Sequence, residues 1–373
     1  MSKAMKFIIL MGLVSLFGDI TYEGARSIVG PYLATFGLSA AVVGLVTGFG
    51  EFTGYGLRLL SGYVADRTGR HWLMTFLGYS LILSIPLLAF AQYWWVAAVL
   101  IVAERLGKAI RTPARDAMLS FATKQVGRGL GFGVHEAMDQ IGAVIGPLIV
   151  FSALVGYSYK EAFMVLFLPA LLVLLALLAT WKLYPAPQRF EEERQESEIK
   201  GSFLLYSIFV FLSVVGFLSF PLLSYHLARY VDLRLIPLLY ALAMGVDALF
   251  ALISGKCYDV IGLKTLMLVP LLTPLTLLAL QPTFAGVVAG VAAWGAVMGM
   301  HEATTRAAIA DLTGVKKRST AYGIFNSIFG LAMFAGGAVL GYLYDVSTTG
   351  LVMFVLAVEF AAFLVILTVN KNI

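Results

Sequence analysis

The chain has 373 residues; 60% are apolar, 13% are charged, and the formal net charge is +5. Soluble domains run nearer ~45–50% apolar and ~25% charged. A soluble globular protein is therefore excluded, and the basic balance (pI about 9.1, mean hydropathy +0.90) is not a nucleic-acid signal. The length accommodates about a dozen spans of ~20 residues in a lipid bilayer, with no sizeable soluble domain. The single cysteine, Cys257, excludes an intrachain disulfide and a thiolate metal cluster. Lys3 and Lys6 precede a long apolar run without a small-residue cleavage site, so the first span is expected to stay as an anchor.

Apolar runs broken by short polar or Gly/Pro segments predict twelve spans, roughly 7–35, 40–64, 71–91, 95–121, 128–154, 160–184, 202–228, 234–257, 264–281, 284–312, 319–343 and 348–369. They are predicted as helices, because an open sheet cannot satisfy its backbone in lipid and no alternating barrel pattern occurs. The fold class expected is an all-α membrane protein.

The first span carries Asp19, Glu23 and Arg26 at i, i+4, i+7, on one face. The second adds Glu51 and Arg58. The segment GYVADRTGR (Gly62–Arg70) follows, with Gly62, Asp66, Arg67, Gly69 and Arg70 in a tight polar turn.

The fourth span is the least membrane-like. Glu104, Arg105, Lys108, Arg111, Arg115 and Asp116 crowd its C-terminal half. Glu104, Lys108, Arg111 and Arg115 fall within an arc of about 60° on a helix. Each such charge at the bilayer centre costs at least about 2.5–3.5 kcal/mol. The face must meet a watery cavity, a charged ligand, or carboxylates on other helices.

The fifth span reads GFGVHEAMDQIGAVIGP (Gly131–Pro147). Gly131, Gly142 and Gly146 form a smooth stripe that admits a close neighbour, and His135 and Asp139 lie along it. Tyr184–Ser202 is a polar, proline-containing linker. In the second half the interior charges are sparse: Asp247 in the eighth span, and His301, Glu302 and Arg306 in the tenth.

Lys and Arg cluster in one set of loops. Lys3, Lys6, Arg67, Arg70, Lys124, Arg128, Lys182–Lys200, Lys256, Lys264, Lys316–Arg318 and Lys371 lie on one side, against Lys160, Arg229 and Arg234 on the other. The basic side is expected to be cytoplasmic, with the chain in the cell membrane and both termini in the cytoplasm. The halves echo each other. Gly62–Arg70 matches Gly255–Lys264, Gly142–Ile149 matches Gly337–Tyr344, and Arg115 and Arg111 correspond to Arg306 and Glu302. The expected organisation is a six-span bundle over 1–184, a cytoplasmic linker over 185–201 and a second bundle over 202–373, related as a parallel repeat.

GYVADRTGR resembles G-x-x-x-D-R-x-G-R, the signature loop between spans two and three of the major facilitator superfamily. His71 stands where a further basic residue is usual. Gly133, Gly142, Gly146 and Pro147 resemble that superfamily's antiporter motif, although Val150 and Phe151 replace its trailing glycines. Asp19 resembles loosely the central acid of span one in the drug/proton branch. The resemblance covers essentially the whole chain. It implies two pseudo-symmetric six-helix bundles, a monomer, and a Gly62–Arg70 loop that latches helix ends in one state. It also implies a fifth-span face that meets the eighth span, bringing His135 or Asp139 towards Asp247. Spans four and ten would line a cavity, with Arg111 and Glu302 on opposite walls.

These observations favour a secondary transporter and not an enzyme: no phosphate-binding loop and no nucleophile–base pair with motif spacing occurs. Asp19, Glu23, Glu136 and Asp139 are the proton-coupling candidates. Glu51, Arg105, Lys108, Arg111, His135, Asp247, His301 and Glu302 are the substrate-binding candidates. Tyr22, Tyr225, Tyr240, Trp294 and Phe325 offer stacking surface. Interior acids and bases nearly balance, so much of the set could equally be structural. Proton-coupled efflux of a small charged or zwitterionic solute leads. Import of an organic anion by symport, transport of a divalent cation and a non-transporting receptor are the alternatives. No resident metal or cofactor is expected.

Overall fold

The computed structural model describes residues 1–126, 128–156, 158–187, 202–312 and 318–371. Among them every regular element is helical. Ten helices are long and apolar enough to cross a membrane. The other two predicted spans depart for legible reasons. The second is divided at Leu57 into Ala40–Gly56 and Arg58–Thr68, next to Gly54 and Gly56, which hold helix poorly. The fourth, Trp94–Val126, is one continuous helix carrying the crowded charges.

Proline places the remaining irregularities. The third span starts as an α-helix at His71–Ser80 and tightens to 3-10 turns at Leu81–Leu83 and Leu88–Phe90, around Pro86. The ninth alternates between 3-10 and α-helix over Gly262–Leu280, around Pro270 and Pro274. Each proline withdraws a backbone donor from the helical ladder.

Contacts divide the chain into two compact units: Met1–Ser27 with Leu57–Arg194, and Ile28–Gly56 with Gln195–Ile373. The second unit thus takes in the first part of the second span, which packs along the eleventh (Arg318–Val346). Within the linker, residues 188–201 lie outside the described residues.

In the first unit, the first span (Lys3–Ala34) supplies the core. Phe7, Ile8 and Met11 pack with Met118, Leu119 and Ala122 of the fourth span. Val14 packs with Tyr79 and Ile82 of the third and with Ala170, Val173 and Leu177 of the sixth (Tyr159–Met164 and Phe167–Leu183). Gly142 and Gly146 of the fifth span (Arg128–Gly156) face the first. A Cβ at Gly142 would lie 2.5 Å from the Leu16 carbonyl oxygen, and one at Gly146 would lie 2.4 Å from that of Ile20. The glycine stripe therefore seats the first span. Two backbones approach this closely only where side chains are missing.

The second unit repeats the device. Gly44 and Gly48 meet Gly337, Met333 and Phe334; a Cβ at Gly44 would lie 2.0 Å from the Gly337 carbonyl oxygen. Asp345 closes the same contact, accepting from the backbone N–H groups of Ala40 and Ala41 at 3.1 and 2.8 Å. A carboxylate there meets unpaired donors and the positive end of the helix dipole. Gly295 and Gly299 of the tenth span (Phe284–Leu312) press on the Ala243 and Asp247 carbonyls of the eighth (Leu235–Ile261).

Candidate functional site: an ionic cluster in the first unit

The charged face of the fourth span is buried at Glu104 and Arg111 and half-buried at Lys108 and Arg115, and its first partner comes from the same helix. Glu104, 1% exposed, receives Arg111 Nη2 at 3.0 Å and lies 3.8 Å from Arg105 Nε. Arg111 also reaches the Gly78 carbonyl at 3.4 Å and lies over the Tyr79 ring at 4.8 Å. Gly78 and Gly107 let the third and fourth spans close on this pair, since a Cβ on either would lie 2.6 Å from the other's carbonyl oxygen.

Tyr22, two turns above Ser15 on the first span, gathers the remaining cations. Arg105 donates to its hydroxyl and covers its ring at 4.1 Å. Lys108 Nζ lies 4.2 Å from the ring centroid and Arg26 5.7 Å. Such cation–ring contacts strengthen as water is excluded. Arg26 pairs with Glu23 at 3.7 Å.

Lys108 and Asp19 behave differently. Each is the other's strongest charged partner of opposite sign. Yet among the described residues neither forms an ion pair within 4.0 Å. Both are half-buried.

Arg115, inside the predicted arc, turns to a separate relay. It donates to Ser15 Oγ at 3.0 Å and to Asp116 at 2.9 Å. Ser15 Oγ lies 2.9 Å from His135 Nε2 and 3.3 Å from the Tyr79 hydroxyl, and His135 Nδ1 lies 3.5 Å from Asp139 Oδ2. Asp139 Oδ1 is buried without a hydrogen-bond partner. Asp19, Arg115, Glu136 and Asp116 all act on Asp139 electrostatically. Ser15 joins the arginine to the histidine, and nothing in the charge pattern pointed to it. Glu136, next to His135 in the chain, is half-buried.

The structure thus brings together Asp19, Glu23, Arg105, Lys108, Arg111, His135 and Asp139 in the first unit. Glu51, Asp247, His301 and Glu302 belong to the second. Glu51 and Asp247 are buried there. His301 is buried between Phe217 and Phe329, with ring centroids 6.0 and 6.2 Å away. Tyr240 and Trp294 pack on Phe220, and Tyr225 donates to the Leu38 carbonyl at 3.0 Å. The side chain of Arg306 lies outside the described residues.

In the signature segment, Gly69 ends the Arg58–Thr68 helix in the left-handed region (φ 64°), its N–H bonded to the Ala65 carbonyl. Only glycine takes that conformation without strain. Gly62 packs on Pro113 of the fourth span. Arg67 and Arg70 are exposed, and the Asp66 side chain lies outside the described residues. Pro147 stands inside the fifth helix beside Gly146. A groove of about 540 Å³ lined by Ile145, Leu148, Ile149 and Val165 shares none of the clustered residues, and its apolar walls suit acyl chains better than a polar solute.

The signature of the Major Facilitator Superfamily matches residues 9–280 and 205–371. A Mycobacterium tuberculosis protein described as uncharacterised is 43% identical over 99% of this chain and 94% of its own. An uncharacterised MFS-type transporter of Methanocaldococcus jannaschii is 27% identical over 92% of this chain and 89% of its own. Among solved structures, a bacterial homologue of the human lysosomal transporter Spinster, inward-facing and occupied, superposes with a TM-score of 0.75 at 16% identity, covering 100% of this chain and 98% of that one. At that identity the likeness shows the fold alone. The chain belongs to the Major Facilitator Superfamily. It is an all-α multi-pass membrane transporter, and not an enzyme.

Proposed function

We propose that the chain exports a small zwitterionic or charged solute across the cell membrane by alternating access, in exchange for protons. The observation that carries this reading is the Lys108–Asp19 pair, mutually attracted but without an ion pair within 4.0 Å. Glu104 occupies Arg105 and Arg111, and Glu23 occupies Arg26. Lys108, over the Tyr22 ring, is placed to meet an anionic group of the solute, and Asp19 a cationic one. A proton arriving on Asp19 cancels the charge that held the cationic end, so proton and solute compete, which is the sign antiport requires. Asp139, joined through His135 and Ser15 to Arg115, is a second proton holder. Glu23 and Glu136 complete the set.

In this reading the two six-span halves, 1–184 and 202–373, are the moving repeats, with both termini cytoplasmic and a monomer sufficient. The Gly62–Arg70 turn is the latch, its left-handed Gly69 fixing where the helix stops. Arg111, Asp247, Glu51, His301 and Glu302 remain candidates for contacts to the solute.

The test is flux in proteoliposomes oriented as in the cell, with a solute chosen by the thermal stabilisation it produces. Acid outside should accelerate solute exit, and Asp19→Asn should abolish that acceleration. Acid-driven entry would instead favour symport of an organic anion, which the charge on Lys108 would also serve. Flux indifferent to pH in the native chain would sink proton coupling altogether.

A further inference from the structure

The seventh span is broken in mid-membrane. It is helical over Ser202–Val215 and again over Phe220–Leu227, and the interval Gly216–Ser219 is not. Pro221 explains the break, because it has no N–H for the Phe217 carbonyl one turn back. All four residues of the interval are buried. Irregular backbone at membrane depth survives only inside protein or beside water. One carbonyl of the break is satisfied from outside: Trp294 Nε1 donates to Leu218 O at 2.7 Å. Ser219 stands at the N-cap of Phe220–Leu227, yet its hydroxyl makes no capping bond and is buried without a partner.

Glu359 lies opposite. It sits near the midpoint of the twelfth span (Thr348–Lys371), 1% exposed, and neither carboxyl oxygen has a hydrogen-bond partner. A Cβ at Gly216 would lie 2.5 Å from Glu359 Oε1, so the carboxyl rests against the glycine that begins the break. The twelfth span packs against the seventh, the eleventh and the ninth. Their titratable groups include Tyr206, Tyr342, Tyr344, Asp345 and Lys264, and His301 of the tenth faces the break through Phe217. None of them exerts a charge on Glu359; burial alone acts on it. An ionised carboxylate without cation or donor is the costliest group to hold at this depth. A metal ion would need several further oxygens, whereas a proton needs none.

We propose that Glu359 and the Gly216–Ser219 break form a proton-binding site of the second unit, separate from the acids of the first. The carboxyl is occupied by a proton in the state shown. Release transfers that proton to water when the break opens, leaving a carboxylate with no change in oxidation state. The inference does not depend on the Asp19–Lys108 reading, because its readout is protonation and not transport.

Infrared difference spectroscopy of the full chain in nanodiscs, titrated with pH, tests it. The native protein should show a protonated-carboxyl C=O band at neutral pH that Glu359→Gln removes and Asp19→Asn retains. Gly216→Ala, whose methyl group presses on the carboxyl, should shift that band without abolishing it, and carries the test if Glu359→Gln does not fold. A spectrum identical in the native chain and Glu359→Gln would overturn the proposal, as would a band that Gly216→Ala leaves in place. So would sodium-dependent thermal stabilisation of the native protein that Glu359→Gln loses, since it would assign the carboxylate to a metal cation.

Discussion

Glu104 holds two arginines with one carboxylate at 1% exposure. Removing it strands a buried guanidinium, and breaking one side of such a pair costs about 3–5 kcal/mol. Glu104→Gln should therefore lower the unfolding midpoint in detergent strongly, and a near-native midpoint would show that Arg111 has another anion. Lys108 predicts the opposite split. It forms no ion pair among the described residues, so Lys108→Gln should leave the midpoint within a degree or two. The same change should weaken solute binding by roughly 10–100-fold, the loss of one charge-assisted contact of about 1.5–3 kcal/mol. Helical spacing alone put Glu104, Lys108, Arg111 and Arg115 on one face. It could not say that Glu104 would take Arg111 seven residues on, or that Arg115 would leave for Ser15, because rotamers and a partner helix decide those contacts. Glu359 is a lone acid in the last span, and an isolated residue has no spacing to mark it.

At the scale of helices, contact is made by what glycine lacks. A Cβ at Gly341 would meet the Ala40 carbonyl oxygen at 2.5 Å, while one at Gly245 would meet nothing within 4 Å. Gly341→Ala should cost about 1–3 kcal/mol through overpacking. Gly245→Ala, exposed on its helix, should be neutral or slightly stabilising through helix propensity. Equal effects in a thermal comparison of the two would refute the close-approach account. Asp345→Ala should cost about 0.5–2 kcal/mol, as a lost N-cap does. The echo of Gly142–Ile149 in Gly337–Tyr344 is legible in the sequence, and so is the smooth stripe of the fifth span. The partner was not: the fifth span's stripe seats the first span, because smoothness specifies closeness and not address.

For the whole molecule, twelve spans follow from hydropathy, and the two that fail a simple length-and-charge test fail where glycine or ionic residues intervene. The grouping of Ile28–Gly56 with the C-terminal residues was beyond hydropathy, since it rests on Gly44 and Gly48 finding Gly337 and Gly341 far along the chain. It has a measurable outcome. A fragment covering 195–373 leaves the Gly337 face of the eleventh span bare. It should resist proteolysis poorly alone and better when co-expressed with the remainder, and equal resistance in both cases would count against the contact. One further use follows from the indole seated on Leu218. Trp294 is one of five tryptophans in the chain, so replacing the other four with phenylalanine would leave a single indole, excited at the red edge where tyrosine does not absorb, anchored to the discontinuity. Its emission would then report, label-free and in real time, each loss of that one bond as solutes or pH jumps are applied.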